Sequence, residues 1–194
     1  LDFALNVSEF VALSISNAML YERAEKLSVT DGLTGLDNHQ QMQTLLKNEV
    51  VRCRRYSSPL SVIIMDIDLF KQVNDTYGHQ KGDDILLEFS AIMKKFCRSN
   101  DVAARYGGEE FFLVLPETHI KGALHIAERI REEMASKKFQ SKGKEFNVTV
   151  SCGIAEFDAN HMQDAADLIK VSDLALYKAK DEGRNRTIQG TADD

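Results

Sequence analysis

Residues 60–68 have the sequence LSVIIMDID, in which a short apolar run rich in β-branched residues is followed by two aspartates. A run of this kind is typical of a central strand that is buried on both faces of its sheet. We expect the strand to stop at Asp66. Asp66 and Asp68 then lie at an edge of the sheet, where ligands commonly bind. The segment therefore predicts both the centre of the fold and a candidate site.

Helical and extended patterns alternate on either side of this strand. Apolar residues at helical spacing predict four helices, at 39–56, 82–97, about 119–136 and 162–180. Further strands are predicted at 102–106, 111–115, 145–157 and 187–189, and the two glycines between the first two favour a hairpin. This order indicates a mixed α/β fold in which helices cover a central sheet.

The N-terminal segment, residues 2–29, contains no Gly or Pro and carries a heptad pattern. The a positions hold Phe10, Asn17 and Ala24, and the d positions hold Leu13, Leu20 and Leu27. This pattern predicts a helix with a dimerising seam. A helix packed on its own domain is an equal alternative, because other apolar residues widen the stripe. We expect a signalling helix at 1–29, a folded domain at 30–190 and a tail at 191–194. Since the first residue is Leu, we also expect a piece of a longer protein.

Composition narrows the class of protein and its partners. The 194 residues are 43% hydrophobic and 28% charged, which is typical of a soluble folded protein and excludes disordered and collagen-like chains. A net charge of -6 opposes binding to nucleic acid or anionic headgroups, so we expect neither as a partner. Three cysteines without a C-x-x-C pair favour a reducing compartment. No apolar run reaches the roughly 18 residues of a spanning helix, and we predict a cytoplasmic location.

Two glutamates at the predicted hairpin tip strengthen the case for a site at the aspartates. A lone D-x-D is more often a turn or helix cap than a metal site, and two glutamates on a tip are ordinarily just solvated. However, a hairpin paired beside the central strand brings Glu109 and Glu110 towards Asp66. Gly107 and Gly108 allow a bulky ligand to approach the backbone. Clustered carboxylates suit Mg²⁺, which leaves coordination positions open for phosphate oxygens.

The common phosphate-binding loops are missing from the sequence, which disfavours a P-loop NTPase and a Rossmann dehydrogenase. Instead, a cationic cluster surrounds Gly183 and consists of Lys178, Lys180, Arg184 and Arg186. By itself, this cluster is explained by the dipole at the C-terminal end of a helix.

Three separated motifs resemble those of the GGDEF family of diguanylate cyclases. They are DIDLFKQVNDTYGHQKGD at 66–83, RYGGEEF at 105–111 and ALYKAKDEGRNR at 175–186, and DGLTGL at 31–36 precedes them. The resemblance covers about residues 27–189. It implies a central sheet like that of nucleotide cyclases and polymerase palm domains, covered by helices, with an N-terminal helical extension. It also implies condensation of two GTP into cyclic di-GMP, with release of two pyrophosphates, in a homodimer.

The same resemblance implies a role for particular residues. The expected metal ligands are Asp66, the carbonyl of Ile67, Glu109 and Glu110, and the metal is Mg²⁺ or Mn²⁺. The expected catalytic residues are Glu109, as acceptor of the 3′-hydroxyl proton, Glu110 and Lys71. The expected substrate-binding residues are Phe70, Lys71, Asn74, Asp83, Gly107, Gly108, Lys180 and Arg184. Among these, Asn74 and Asp83 are expected to read guanine, because a carboxylate can accept from N1–H and the 2-amino group together.

A product-inhibition site for cyclic di-GMP is implied by the R-x-x-D pattern at Arg98 to Asp101, five residues before the two glycines. Arg129 or Arg131 is expected to add a further arginine from a partner domain, and we place Arg129 in the set. The chain departs from the family's Asn-Arg-Arg by having Asn38-His39-Gln40, which we expect to weaken an ion pair in the preceding loop.

Two other functions stay open at this point. The first is a catalytically inactive receptor for cyclic di-GMP that keeps only the inhibitory site. The second is a pure dimerisation module, which leaves the acidic residues unexplained. The input signal, the upstream sensor, the cellular process and the ability of this chain to dimerise alone do not follow from the sequence.

Overall fold

The computed structural model describes residues 29–141 and 143–191. Its strands are β1 (Asp37–Asn38), β2 (Leu60–Ile67), β3 (Val102–Arg105), β4 (Glu110–Pro116), β5 (Phe139–Ser141), β6 (Lys144–Phe146), β7 (Val150–Glu156) and β8 (Thr187–Gln189). Six of them form one sheet in the order β1-β3-β4-β2-β7-β8, and β5 and β6 form a separate hairpin. β2 runs antiparallel to both of its neighbours, β4 and β7.

Helices cover both faces of the sheet. They are α1 (His39–Tyr56), α2 (Phe70–Tyr77), α3 (His79–Phe96), α4 (Ile120–Ser136) and α5 (Ala165–Asp181). Alternate residues of β2 point to opposite faces, so Ile63 and Met65 pack with α3 and α4 while Val62 and Ile64 pack with α1 and α5. All eight residues of β2 are buried. The predicted mixed α/β fold with a covered central sheet is therefore confirmed.

None of the helices in the described part of the chain is both long enough and apolar enough to cross a membrane.

Three boundaries near the site differ from the sequence prediction. β2 continues to Ile67 because Asp66 is paired on both sides, with Glu110 and with Ser151. The helix α2 was not predicted, because its eight residues are fewer than the window over which apolar periodicity indicates a helix, although Phe70, Val73 and Tyr77 lie at helical spacing. Gly78, with a φ of 90°, separates α2 from α3, which begins at His79 rather than at residue 82.

The single strand predicted at 145–157 is wrong. The chain forms β6 in the separate hairpin, has no strand at residues 147–149, and then forms β7 in the main sheet. Asn147 accounts for the break, because its side-chain Nδ2 donates to the carbonyls of Ala135 and Lys137, at 3.0 and 2.8 Å. These hydrogen bonds tie the chain to the end of α4.

Residues 1–28 of the predicted heptad helix and residues 192–194 of the predicted tail lie outside the described residues. Val29 is not helical, and its carbonyl accepts a hydrogen bond from the N–H of Asn38 at 3.0 Å.

Candidate active site

The acidic residues singled out in the sequence meet at one end of the central strands. Asp66, near the end of β2, is paired with Glu110, the first residue of β4. The backbone N–H of Ile67 donates to the carbonyl of Glu109 at 3.2 Å. Asp66 is only 6% exposed, whereas Glu109 and Glu110 are half-buried. The predicted hairpin therefore forms, and it carries both glutamates to the aspartate.

The tip of the β3–β4 hairpin is a tight turn. The N–H groups of Tyr106 and Gly107 both donate to the carbonyl of Glu110, at 2.8 and 3.1 Å. A Cβ atom on Gly107 would lie 2.6 Å from Oε2 of Glu110, so a side chain there would displace this carboxylate from its position. A Cβ atom on Gly108 would meet nothing within 4 Å. The outer side of the turn is thus open to a ligand.

Arg105 holds this turn in place, a role that sequence reasoning missed. Its Nε and Nη2 donate to the carbonyl of Gly108 at 3.2 and 2.7 Å, and its Nη1 lies 3.2 Å from Oδ2 of Asp31. Burial opposes ionisation of Asp31, but hydrogen bonds from Thr34 and the charge of Arg105 outweigh burial and lower the pKa of Asp31. The loop at 31–36 is thereby joined to the hairpin tip. The signal was present, because Arg105 and Asp31 both belong to the quoted motifs.

The two residues at which the chain departs from the family, His39 and Gln40, take no part in the ion pair of this loop. Asp31 and Arg105 form their ion pair without either residue. His39 instead packs edge-on against Tyr106, with ring centroids 4.5 Å apart and an interplanar angle of 68°. The expected weakening of the loop stays a prediction.

Lys180 links α5 to the acidic residues. Its Nζ lies 2.7 Å from Oδ2 of Asp66. Burial raises the pKa of Asp66 to about 6; the hydrogen bond and charge of Lys180 lower it, and the charges of Glu109 and Glu110 raise it. Cationic charge at this point offsets the repulsion among carboxylates. Lys180 therefore belongs to the site, rather than merely complementing a helix end.

Two other cations expected to contact phosphate lie at the ends of neighbouring helices. Lys71 is exposed and is the second residue of α2, close in sequence to the end of β2. Arg184 is exposed in the turn after α5, where Gly183 has a φ of 113° and Arg184 itself has a φ of 65°. The N–H of Arg184 donates to the carbonyl of Ala179 at 2.9 Å. This hydrogen bond keeps the turn close to the end of α5 that bears Lys180.

The residues expected to read the base come together where α2 packs on α3. A Cβ atom on Gly82 would lie 2.0 Å from Oδ1 of Asn74 and 3.1 Å from Cζ of Phe70. That Oδ1 is buried and has no hydrogen-bond partner among the described residues. Asp83, the next residue of α3, is exposed. Phe70 packs into the core, so its side chain supports α2 from below. The amide oxygen of Asn74 thus lacks a hydrogen-bond donor among the described residues, and Asp83 presents an exposed carboxylate on α3.

The second aspartate of the D-x-D segment does not join the acidic cluster. Asp68 is 6% exposed and accepts hydrogen bonds from the hydroxyls of Thr149 and Ser151, at 2.6 and 2.7 Å. It also accepts from the backbone N–H of Asn185 at 3.1 Å. Asp66 and Asp68 thus have different surroundings, although they are two residues apart.

The residues of the expected inhibitory site lie at the far end of α3. The N–H of Arg98 donates to Oδ2 of Asp101 at 2.8 Å, and the N–H of Asp101 donates to the carbonyl of Arg98 at 3.1 Å, so the segment is a closed turn. Arg129 of α4 lies over the ring of Phe96, with its guanidinium carbon 4.5 Å from the centroid. Arg131 instead contacts Glu128 and Asn185. Of these two arginines, Arg129 is the one beside the end of α3.

The acidic cluster has the donor type of a magnesium site that substrate completes. Within residues 29–141 and 143–191, no three His, Cys, Asp or Glu side chains are arranged to hold a metal ion by themselves. Mg²⁺ in nucleotide enzymes is usually bound by one or two carboxylates, with water and phosphate oxygens as its other ligands. Asp66 and Glu109 offer hard oxygen ligands beside a strand carbonyl, and Asp66 already attracts the ammonium of Lys180. These residues fit such an ion.

Comparison with known proteins points to one family. Residues 28–186 match the family described as diguanylate cyclase, GGDEF domain. Diguanylate cyclase A of Treponema denticola is 38% identical over 184 residues, which are 93% of this chain and 48% of that protein. The chain thus spans about half the length of that relative.

Solved structures give the same result. The GGDEF domain of DgcB from Caulobacter crescentus, in complex with c-di-GMP, has a TM-score of 0.81 and 30% identity, and covers 86% of this chain and 97% of that one. The coiled coil and GGDEF domain of the same protein, also with c-di-GMP, has a TM-score of 0.80 and 26% identity, and covers 98% of this chain and 100% of that one.

Proposed function

This chain belongs to the GGDEF family of diguanylate cyclase domains, and we propose that it condenses two molecules of GTP into cyclic di-GMP. Each of the two transfers forms a bond between the 3′-oxygen of one nucleotide and the α-phosphorus of the other. Each breaks the bond from that phosphorus to the bridging oxygen of the β-phosphate and releases pyrophosphate. In this proposal, the domain is the output module of a bacterial signalling protein.

One observation carries the proposal, namely the convergence of Asp66, Glu109 and Lys180 from three different elements. Lys180 lies 2.7 Å from Asp66, and the backbone carbonyl of Glu109 is hydrogen bonded to the residue after Asp66. Opposed charges packed at one sheet end are what a transfer between polyphosphates needs, because charge develops on both attacking and leaving oxygens. We assign Glu109 as the acceptor of the 3′-hydroxyl proton and Glu110 as the assisting carboxylate.

A divalent ion, Mg²⁺ or Mn²⁺, completes the proposed site. The residues that would hold it are Asp66, Glu109, Glu110 and the carbonyl of Ile67. When bound, the ion supplies positive charge that neutralises the phosphate oxygens during transfer. Two features support the assignment, namely the carboxylate oxygens of this cluster and the contact between Asp66 and the ammonium of Lys180.

The rest of the nucleotide is assigned to the two helices that begin and end beside the acidic cluster. Lys71, Lys180 and Arg184 bind the β- and γ-phosphates, through charge-assisted hydrogen bonds. Asn74 and Asp83 read guanine at the α2–α3 contact. The unpartnered Oδ1 of Asn74 supports this placement, since a base with amino and imino donors satisfies it.

We further propose a homodimer as the active form, because one chain offers one GTP site and the product contains two nucleotides. The coiled coil of the similar DgcB structure supports a helical tether at the N-terminal end. The three cysteines are all free, which supports action in the reducing cytoplasm, where GTP is abundant.

A catalytically silent receptor for cyclic di-GMP is the weaker alternative. Such a receptor needs the arginine-containing turn at residues 98–101 but has no use for an arranged acidic cluster. Here Asp66, Glu109 and Glu110 are all present, and Arg105 fastens the hairpin that carries the glutamates. These contacts favour a working catalytic site.

The decisive experiment is incubation of the protein with GTP and Mg²⁺, followed by separation of products by mass. We expect cyclic di-GMP and two equivalents of pyrophosphate. Asp66→Asn and Glu109→Gln should each lower the rate by more than about tenfold. Asp158→Asn, an exposed aspartate paired with His161 at 2.7 Å, is the matched control and should keep the wild-type rate. No cyclic product from the wild-type protein, at any protein concentration, would contradict the proposal.

Feedback by the product forms the last part of the proposal. The DgcB structures contain c-di-GMP, and the closed turn of Arg98 and Asp101 beside Arg129 provides cationic groups for a dinucleotide. Arg98→Ala should raise the concentration of cyclic di-GMP needed for half-inhibition and leave the initial rate unchanged. Equal affinity of the wild-type and variant proteins for cyclic di-GMP in calorimetry would show that this turn does not bind the product.

A further inference from the structure

The turn after α5 has an unusual backbone next to the proposed phosphate arginine. Arg184 and Asn185 are consecutive non-glycine residues in the left-handed region, with φ values of 65° and 47°. A non-glycine residue in this region is uncommon and persists where the surrounding structure holds it. The contacts around Asn185 should therefore show what enforces this turn.

Asp68 holds the backbone of the turn from the side of β2. Its carboxylate accepts from the N–H of Asn185 at 3.1 Å and is itself fixed by the hydroxyls of Thr149 and Ser151. With three donors on a carboxylate that is 6% exposed, Asp68 has little freedom to move. It therefore anchors Asn185 to the end of the central strand that also bears Asp66.

Arg131 holds the side chain of the turn from α4. Its Nη1 donates to Oδ1 of Asn185 at 2.9 Å, while its Nε and Nη2 contact the carboxylate of Glu128 at 3.1 and 2.7 Å. Glu128 in turn accepts from the hydroxyl of Thr187 at 2.6 Å. The side chain of Arg131 is 16% exposed, so the guanidinium is largely buried, whereas its hydrogen bond to Asn185 lies at the surface.

These contacts are not needed to attach the last strand to the sheet. β8 is paired with β7 through three residue pairs, and backbone hydrogen bonds from Cys152 to Arg186 and from Gly190 to Ile154, at 2.9 and 2.8 Å, flank that pairing. On its other side, the turn borders a cavity of about 530 Å³ that Leu69, Val73 and Phe146 also line. The turn thus has no packed support there, and Asp68 and Arg131 supply the support.

We infer that Asp68 and Arg131 are positioning residues for Arg184, the proposed ligand of the GTP triphosphate. Asp68 accepts a hydrogen bond from the backbone N–H of Asn185, and Arg131 donates one to its side chain. The guanidinium of the adjacent Arg184 makes no hydrogen bond or ion pair with the described residues and is exposed. A rigid neighbour keeps this arginine near Lys180 without engaging its charge, so the charge stays available for phosphate. The inference rests on the proposed function and adds the residues that prepare its phosphate site.

The test compares binding of a non-hydrolysable GTP analogue with binding of GMP, by calorimetry in Mg²⁺. Both ligands carry guanine, so their affinity ratio isolates the contribution of the outer phosphates. We expect Arg184→Met to lower this ratio by more than about tenfold and Arg131→Met to lower it by about fivefold to tenfold. Arg52→Met is the matched control. It removes the exposed ion pair between Arg52 of α1 and Glu117, and should leave the ratio unchanged.

A double variant separates positioning from general structural support. If Arg131 acts through Arg184, then Arg131→Met should change the ratio no further once Arg184→Met is present. A fivefold fall that persists in the Arg184→Met background would overturn the inference, as would an unchanged ratio in the single Arg131→Met protein.

A second variant tests the same contact if Arg131→Met does not fold. Asn185→Gly tolerates the left-handed backbone, removes the side-chain acceptor of Arg131 and loosens the backbone of the turn, so it should lower the ratio at least as far. An unchanged ratio in this protein would also overturn the inference. A wild-type protein that shows no preference for the triphosphate would instead contradict the proposed function, so the two failures are distinguishable.

Discussion

Asp66 combines burial with neighbouring negative charge, and this combination governs its chemistry. Burial raises the pKa of Asp66 to about 6, compared with 3.8 for an ordinary aspartate, and Lys180 only partly offsets the effect. The carboxylate therefore takes up a proton at a pH where exposed aspartates remain ionised. Because a divalent ion needs the ionised form, proton and metal compete for Asp66.

This competition predicts a particular pH dependence. Binding of Mn²⁺ together with a GTP analogue should be constant well above pH 6 and should weaken about tenfold for each pH unit below it. The midpoint should move to lower pH as Mn²⁺ is raised, because more metal displaces the proton. Titrations at several Mn²⁺ concentrations, followed by electron paramagnetic resonance, measure this shift. A midpoint that does not change with the Mn²⁺ concentration would show that a group other than Asp66 titrates.

Asp83 gives a second prediction at the scale of one residue. Asp83→Ser removes the acceptor proposed for the guanine N1–H and 2-amino groups, and should reduce the preference for GTP over ATP by about 1–3 kcal/mol. Competition between the two nucleotides, with products separated by mass, is the measurement. Asp84→Ser is the control, because that neighbour is paired with Lys81 at 2.7 Å. Equal preference in wild-type and Asp83→Ser proteins would place base recognition elsewhere.

At the scale of elements, the contact between α5 and β7 determines the position of Lys180, near the end of α5. A Cβ atom on Gly153 of β7 would lie 2.1 Å from the carbonyl oxygen of Ser172 and 2.4 Å from the backbone nitrogen of Leu176. Both contacts are backbone atoms of α5, which cannot rotate away. The helix therefore lies directly on the strand at this glycine.

Gly153→Ala should consequently destabilise the fold by about 1–3 kcal/mol or more, because α5 must move outward. The same movement should draw Lys180 from Asp66 and weaken GTP binding. Chemical denaturation and calorimetry measure the two effects. Gly32→Ala is the control, since a Cβ atom there would meet nothing within 4 Å. If Gly153→Ala matched the stability of the wild-type protein, the packing of α5 on β7 would be looser than described.

At the scale of the whole molecule, one acidic cluster has to serve a proposed reaction that uses two nucleotides. The described residues hold one such cluster, at the junction of β2 and the β3–β4 hairpin. The proposed reaction therefore needs two chains that face each other, and a tether would raise their effective concentration.

This arrangement predicts that the rate per chain rises with protein concentration. Deletion of residues 1–24 should lower activity in dilute protein and make its rise with concentration steeper, because the proposed tether is lost. Rate measurements over a concentration series, with light scattering on both proteins, test this. Identical curves and masses for the two proteins would mean that the N-terminal segment does not tether the domains.

Much of the fold follows from local pattern. The run at 60–65 predicts a buried strand, apolar periodicity predicts α1, α4 and α5 to within a few residues, and two glycines predict the β3–β4 hairpin. In contrast, α2 spans only eight residues, which are too few for its apolar periodicity to indicate a helix. The break before β7 depends on hydrogen bonds from Asn147 to the end of α4, which no local pattern contains.

The site divides in the same way, for a physical reason. The residue types and motif spacing of Asp66, Glu109 and Glu110 are local properties, and strand pairing brings them together once the hairpin forms. The contacts of Lys180 with Asp66, of Arg131 with Asn185 and of Asp68 with Ser151 join residues far apart in the chain. Such contacts depend on the register of strands and on the side of the sheet to which each helix packs. Sequence patterns therefore specify which groups the site contains, whereas packing determines that Asp66 joins the acidic cluster and that Asp68 does not.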